Sequence, residues 1–216
     1  MARHLQHTYS MHFVPGDIYH VYNRGNNKQQ IFFNPGNYQY FLNKAANEWN
    51  KYCDILSYVL MPNHFHFMLI PNEVGCTQVE LNNKITDLQN LSKSIGKTLS
   101  SYTKAINIQN GTLGNLFQKK TKAKNLLSES RHVSNNLLNE NYLLTCLNYI
   151  HSNPLKAGLV NDLKDWTFSS YLDYYEKRSD SICNISLSMY RLGLSSAYFD
   201  LPLTGILNEQ LVRNIF

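Results

Sequence analysis

The chain has 216 residues, of which 43% are hydrophobic and 12% aromatic, so it can bury a core and is not a disordered chain. No apolar run approaches the roughly 20 residues that cross a bilayer, and the N-terminus has no signal-peptide core, so we expect a cytoplasmic protein with no membrane segment. Four scattered cysteines without a Cys-x-x-Cys pair argue against a disulfide framework or a zinc ribbon. The net charge of +5 permits a polyanionic partner.

The first third of the chain predicts three strands and one helix. Residues 17–24 are rich in β-branched and aromatic side chains, which indicates a strand. Apolar residues near helical spacing predict a helix over 36–51. Two more strands are expected over 53–61 and 64–70. They meet in a tight turn at Pro62, because proline suits a turn and not a central strand.

A long helix is expected next. Thr77 and Glu80 form a Thr-x-x-Glu capping box, which predicts its first turn, and apolar residues then recur at three- and four-residue steps. The helix is expected to stop at Asn110-Gly111, and the basic residues 115–124 to form a strand or a loop.

A last helix is predicted over 139–153, ending before Pro154. This order of elements indicates an α+β fold in which an antiparallel sheet is covered by helices on one face. We expect residues 1–177 to form a single domain. Residues 178–216 carry apolar side chains but no assignable motif, and are expected to be a C-terminal extension of unknown role.

His64 and His66 are the most specific feature of the chain. Side chains alternate along a strand, so both imidazoles would lie on one face of the sheet while Phe65 and Phe67 lie on the other. Two neutral imidazoles at this spacing can share a divalent metal ion. A structural pair has the same spacing, so the residues alone leave both interpretations open.

The helix over 139–153 carries polar groups that could complete such a site. Tyr149 and Asn153 are four residues apart and share a helix face, whereas Leu147 and Ile150 lie on the opposite side and are expected to pack on the core. The polar face could therefore lie against the two histidines. Tyrosine and asparagine also serve as ordinary structural residues, so this pattern indicates a possible metal site with an open function.

Lysines are concentrated in two places. Lys93, Lys97 and Lys104 follow a stripe along the predicted long helix, and a second cluster contains Lys119, Lys120, Lys122 and Lys124. Such residues can contact the phosphates of a nucleic acid. A solvated lysine face is an equally good explanation of the helical stripe, but it explains the second cluster less well, because no acidic residue lies near before Glu129.

Five separated blocks of the chain resemble, in order, the REP-associated tyrosine transposases. These are relatives of insertion-sequence transposases in the HUH nuclease superfamily, and they use a single catalytic tyrosine. The resemblance spans about residues 15–175 and includes YHVYNRGNNKQQIF (19–32), LMPNHFHFMLIPN (60–72), LFQKKTK (116–122), YIHSNPLKAGLV (149–160) and WTFSSY (166–171).

The resemblance implies a role for each matching residue. The His-hydrophobic-His motif corresponds to His64 and His66 as metal ligands, with Asn153 as the third ligand. Tyr149, which opens its block, would be the catalytic nucleophile. The implied fold is a ferredoxin-like antiparallel sheet with the histidines on a central strand. Asn23, Arg24 and Lys156 would contact DNA, and this lysine stands where many relatives have arginine.

The implied activity is metal-dependent cleavage and rejoining of single-stranded or hairpin DNA through a 5′-phosphotyrosine link, as in DNA transposition. Mg²⁺ or Mn²⁺ suits a site of imidazole, amide oxygen, phosphate and water. Two other functions are considered: a domesticated protein that binds repeat DNA without cleaving it, and a metal-dependent hydrolase of small molecules. The sequence leaves open whether the protein is a monomer or a homodimer.

Overall fold

The computed structural model describes residues 12–131, 136–176, 178 and 180–195. The N-terminal residues 1–11 and residues 196–216 of the expected extension lie outside the described residues. The strands are β1 Tyr19–Arg24, β2 Cys53–Met61, β3 His64–Pro71, β4 Gln78–Leu81, β5 Lys84–Gln89 and β6 Lys122–Asn125. The helices are α1 Pro35–Trp49, α2 Glu73–Cys76, α3 Asn90–Asn110, α4 Leu126–Arg131, α5 Asn136–Lys156, α6 Tyr171–Glu176 and α7 Ile185–Leu192.

The main sheet has four antiparallel strands in the order β2-β3-β1-β6. The turn at Pro62 joins β2 to β3 as predicted, and β3 lies at the centre of the sheet. The α+β class and the antiparallel sheet are therefore confirmed. The basic segment 115–124 was left as strand or loop; only its end belongs to β6, which pairs with β1 at the edge.

The two faces of β3 have different environments. Phe65 and Phe67 contribute to a core with residues of α1 and α3, whereas Met68 and Ile70 contribute to a second core with residues of α5, α6 and α7. Helices therefore cover both faces of the sheet, and the expectation that they lie on one face is wrong. The strand residues allow this because both sides of the β2–β3 hairpin are apolar over most of their length.

The predicted start of the long helix is also wrong. Thr77 and Glu80 belong to the approach and first strand of the β4–β5 hairpin, and α3 begins only at Asn90. Asn82 and Asn83 both have positive φ, the conformation that closes a two-residue hairpin and that asparagine tolerates. The turn residues therefore decide the local structure here, and the apparent helical spacing of the apolar residues does not. The helix ends at Gly111 in the left-handed region, as expected.

Helix α5 is longer than predicted at both ends. It continues past Pro154 to Lys156, although proline was expected to end it. Proline keeps a helical φ but cannot donate to the carbonyl four residues earlier, and only two further residues of helix follow it. The chain then turns at Gly158, which has a φ of +65°.

Residues 168–176 and 180–184, together with helix α7, cover the outer edge of β2. Backbone hydrogen bonds join Leu60 to Phe168, Tyr58 to Ser170, and Ile55 to Asn184. Cys183 lies in the core beside α1 and α3. The edge strand is therefore not left open for pairing with another chain.

No helix among the described residues is long and apolar enough to cross a membrane.

Replacing Phe41 by alanine should lower the free energy of unfolding by about 3–5 kcal/mol, because the ring is fully buried and deletion leaves a cavity. Its ring contacts those of Phe32, Trp49 and Tyr102, among others. Phe33→Ala is the matched control, since Phe33 is 43% exposed, and its loss should be much smaller. Urea unfolding measures both. Equal losses would contradict the placement of Phe41 in the core.

Candidate active site

The register of the sheet places three rows of side chains side by side on the face covered by α5. Residues directly opposite one another in paired antiparallel strands point to the same side. Starting from β2, the rows are Met61–His64–Arg24, then Val59–His66–Tyr22–Lys122, then Ser57–Met68–His20–Lys124. Two of the rows thus contain both a histidine of β3 and a cationic residue, which lies on β1 in the first row and on β6 in the second.

Helix α5 brings Tyr149 and Asn153 against these rows. The Tyr149 ring meets that of His66 edge to face, with centroids 5.5 Å apart. Asn153 Nδ2 donates to the backbone carbonyl of Tyr149 at 2.9 Å, and its Oδ1 accepts from the Tyr149 hydroxyl at 3.4 Å. The Asn153 side chain also faces His64, close enough to accept a hydrogen bond from the charged form of that ring. The four residues singled out by the sequence therefore form one contiguous group.

His64 is held neutral and in one orientation. Burial, together with the charge of Arg24, lowers the pKa of His64 to about 4, although the hydrogen bond with Asn153 opposes this shift. The Asn63 side-chain oxygen lies 2.6 Å from His64 Nδ1. Since an amide oxygen only accepts, Nδ1 carries the proton and Nε2 keeps its lone pair. That is the form in which imidazole binds a metal ion.

His66 is more deeply buried, and burial lowers its pKa well below the usual value, with further contributions from His20, His64 and Arg24. Its Nδ1 lies 2.8 Å from Nε2 of His20, a fully buried residue of β1. His20 was not among the residues predicted from the sequence. Its position beside His66 depends on the pairing of β1 with β3, and strand pairing is not visible in one sequence.

A cavity of about 480 Å³ opens over this group. Its walls are aromatic, imidazole, amide and cationic side chains, namely Tyr22, Asn23, Arg24, His64, His66, Gln118, Lys120, Lys122 and Tyr149. Tyr22 and Gln118 were not predicted from the sequence either. The cavity combines a phenol hydroxyl, imidazole nitrogens and positive charge at one place, a set of groups that suits phosphate chemistry.

The basic segment is fixed to the end of β1 by hydrogen bonds. Asn23 Nδ2 donates to the carbonyl of Gln118 at 3.2 Å and to the hydroxyl of Thr121 at 2.9 Å. The backbone N–H of Gln118 donates to the carbonyl of Arg24 at 2.8 Å. Asn23, expected from the resemblance to contact DNA, therefore uses its amide to hold the segment that carries Lys120 and Lys122.

Gly25 follows at the end of β1, and the space there admits no side chain. A Cβ at this position would lie 2.2 Å from the carbonyl oxygen of Gln29. The close approach of the two backbone segments therefore requires glycine.

The Tyr149 phenol is not activated by its surroundings alone. Burial raises the pKa of Tyr149, and the hydrogen bond with Asn153 only partly offsets that increase. Lys156 lies on the same helix with its Nζ 5.3 Å from the centre of the Tyr149 ring. Ionisation near neutral pH therefore needs a further positive charge beside the hydroxyl.

The predicted cationic residues divide into two groups. Arg24, Lys120 and Lys122 line the cavity. Lys156 lies next to Tyr149, and Lys124 lies one row further along the same face of β6. These positions are close enough to act on one bound polyanion.

The remaining predicted lysines lie elsewhere. Lys93, Lys97 and Lys104 are exposed on α3, which packs on the opposite face of the sheet, and Lys97 forms an ion pair with Glu48 at 2.9 Å. Lys119 lines a separate groove along α3. The helical periodicity of the stripe was real, but periodicity cannot tell which face of the sheet a helix covers.

The donor set fits a divalent metal ion that is also bound by substrate. Within residues 12–131, 136–176 and 180–195, no group of three or more His, Cys, Asp or Glu side chains could hold a metal ion. The site instead offers two neutral imidazoles and the Asn153 oxygen, which its own amide hydrogen bond turns toward His64. A set this small leaves coordination positions for phosphate and water.

The α+β architecture is shared with the solved structure of a REP-associated tyrosine transposase bound to a REP hairpin. The TM-score is 0.51 over 81% of this chain and 88% of that chain, with 18% sequence identity. At this identity the likeness establishes the fold alone. No protein-family profile and no curated protein matches the sequence.

In the metal-free protein, the free energy of unfolding should fall as pH falls from 6.5 toward about 4. The unfolded chain takes up a proton on His64 in this window and the folded chain does not, so protonation favours unfolding. His66 and His151 have lowered pKa values for the same reason and act in the same direction. Urea unfolding at a series of pH values measures the slope, and an NMR titration follows His64 itself.

The matched variant is His64→Asn, which removes one of the titrating groups and should give a shallower slope. A His64 resonance that titrates near its usual value of 6.5 would contradict the buried, neutral imidazole described above.

Proposed function

We propose that the protein is a single-tyrosine DNA strand transferase that cleaves and rejoins single-stranded or hairpin DNA. The observation that carries this proposal is the contact of the Tyr149 phenol with both His66 and Asn153 at the wall of a cationic cavity. The fold likeness to a transposase bound to a REP hairpin supports the choice of DNA as the substrate. Four of the sequence blocks that resemble that class contribute residues to this cavity or to the helix beside it.

The cationic residues hold the substrate. Arg24, Lys120 and Lys122 contact backbone phosphates and draw the scissile phosphodiester toward Tyr149. Tyr22, half-buried in the cavity wall with Lys122 Nζ 5.6 Å from its ring centre, offers an aromatic face on which an exposed base stacks. Phosphate contacts give affinity and orientation, while unpaired bases give selectivity for single strands.

Tyr149 is the nucleophile. Its Oη attacks phosphorus and loses the phenolic proton, while the bond to the 3′ oxygen breaks and that oxygen takes up a proton. The products are a 5′-phosphotyrosine and a free 3′-hydroxyl. Rejoining is the reverse attack by a 3′-hydroxyl, so the energy of the phosphodiester bond is kept in the covalent link and no ATP is consumed.

His64, His66 and Asn153 would hold a divalent metal ion, Mg²⁺ or Mn²⁺. When bound, this ion supplies positive charge to the phosphate oxygens and favours ionisation of a nearby phenol. The residues themselves supply rigid orientation. Asn63 fixes the tautomer of His64, and the backbone of Tyr149 fixes the amide of Asn153.

Tyr149→Phe should abolish formation of a covalent protein–DNA adduct and leave hairpin binding nearly unchanged, because only the nucleophilic oxygen is removed. Labelled hairpins from repeats near the gene for this protein, mixed with Mg²⁺ or Mn²⁺, are run on a denaturing gel. EDTA should remove the wild-type adduct. Tyr142→Phe is the matched control, since Tyr142 lies on the same helix and packs in the core.

An adduct formed by Tyr149→Phe at the wild-type level would contradict the assignment of Tyr149 as the nucleophile. Hairpin binding without an adduct from the wild-type protein would favour the second candidate function, a repeat-binding protein that does not cleave. The raised pKa of Tyr149 is the observation that favours that candidate.

Replacing both Lys120 and Lys122 by glutamine should weaken binding to single-stranded DNA and reduce its salt dependence. The slope of log affinity against log salt should fall by about 0.7 for each phosphate that the variant no longer neutralises. Fluorescence anisotropy over a salt series measures the slope. Lys97→Gln is the control, because Lys97 lies on α3 and pairs with Glu48. An equal reduction in the control would place DNA on the other face.

A further inference from the structure

We propose that His20 is a positioning residue that sets which nitrogen of His66 carries the proton, and so makes His66 Nε2 available as a metal ligand. This inference rests on the proposed function, because it assigns His66 to a metal site. His20 lies outside the His-hydrophobic-His motif and is not one of the candidate metal ligands.

The two imidazole rings meet in a geometry that suits a hydrogen bond. His20 Nε2 and His66 Nδ1 are 2.8 Å apart, the ring centroids are 5.0 Å apart, and the planes differ by 18°. Such a short contact between nitrogens at this centroid separation means that the rings meet edge to edge, nearly in one plane. The N–H bond and the lone pair of an imidazole lie in the ring plane, so this is a well-aligned hydrogen bond.

When both rings are neutral, only one proton lies between His20 Nε2 and His66 Nδ1. If His66 Nδ1 is the donor, His20 Nε2 accepts and His66 Nε2 keeps its lone pair. If His20 is the donor, His66 carries its proton on Nε2, and that nitrogen cannot bind a metal ion. Only the first arrangement leaves Nε2, on the side of the ring away from His20, able to bind a metal ion; the His66 ring contacts Tyr149 and the residue lines the cavity.

The environment of His20 holds it in place for this role. It is fully buried and lies on β1 diagonally opposite His66, one row further from the cavity mouth. The Tyr22 ring stacks on His20 at 4.7 Å with an interplanar angle of 24°, and on His66 at 5.7 Å. His64 has its own partner for the same purpose in Asn63. Each proposed imidazole ligand thus has one acceptor behind its Nδ1.

The test compares His20→Phe, which keeps a flat ring but removes the acceptor, with His20→Gln, which restores an amide oxygen at a similar reach. Two-bond ¹H–¹⁵N couplings in the metal-free protein report which nitrogen of His66 carries the proton. Mn²⁺ affinity is measured separately by electron paramagnetic resonance of the free ion. His64→Ala serves as the variant that lacks a proposed ligand, and His151→Asn as a control for loss of a buried imidazole elsewhere.

We expect the wild-type protein and His20→Gln to have the His66 proton on Nδ1, and His20→Phe to move it to Nε2. Mn²⁺ affinity should fall about 10- to 100-fold in His20→Phe, as is usual when a ligand loses its supporting partner. His151→Asn should bind Mn²⁺ as the wild-type protein does. A His66 proton on Nε2 in the wild-type protein, or unchanged Mn²⁺ affinity in a folded His20→Phe, would overturn the proposal.

The two hypotheses fail separately. The position of the His66 proton is read without metal, so it decides the role of His20 in orienting His66 whatever the protein binds. If the wild-type protein and His64→Ala bound Mn²⁺ equally weakly, the metal site of the proposed function would be wrong. The position of the His66 proton would still test whether His20 orients His66.

Discussion

The alternation of side chains along β3 is the constraint on which the site depends. Phe65 and Phe67 bury their rings against α1 and α3, and this burial fixes which face of the strand belongs to that core. His64 and His66 are then forced to the other face, below α5. A shift of one residue in register would place two phenylalanines among the polar groups below α5 and bury two imidazoles in a hydrocarbon core, so the hydrophobic effect itself orients the polar group.

The same division explains why a polar cluster can be this well buried. Helix α5 packs through Cys146, Leu147 and Ile150, which are fully buried, so its rotation about its own axis is set by apolar contacts. Tyr149 and Asn153 follow on the side that this rotation leaves facing the histidines. The site thus lies on the α5 face of the sheet, beside the core on which this helix packs.

Local patterns in the sequence predicted much of this arrangement. The two histidines, the strand that carries them and the pair on α5 depend on spacings of two and four residues, which a single sequence displays directly. The long-range features were not predictable in this way. His20 and Tyr22 become part of the site only through the pairing of β1 with β3, and α3 carries Lys97 to the far face because of a strand order that periodicity does not encode.

The covering of the β2 edge has a consequence for how this chain is handled. Tyr174 bonds the carbonyl of Leu56 and the hydroxyl of Ser188, and Arg191 donates to the carbonyl of Gly16 at 2.7 Å. Residues 180–195 therefore help to cover the β2 edge of the sheet, although the sequence suggested a domain boundary at residue 177. A chain shortened at residue 177 would lose this cover, and backbone carbonyls that now accept hydrogen bonds from it would face water. A loss of the proposed activity in the shortened protein would therefore reflect lower solubility as well as any change in the site.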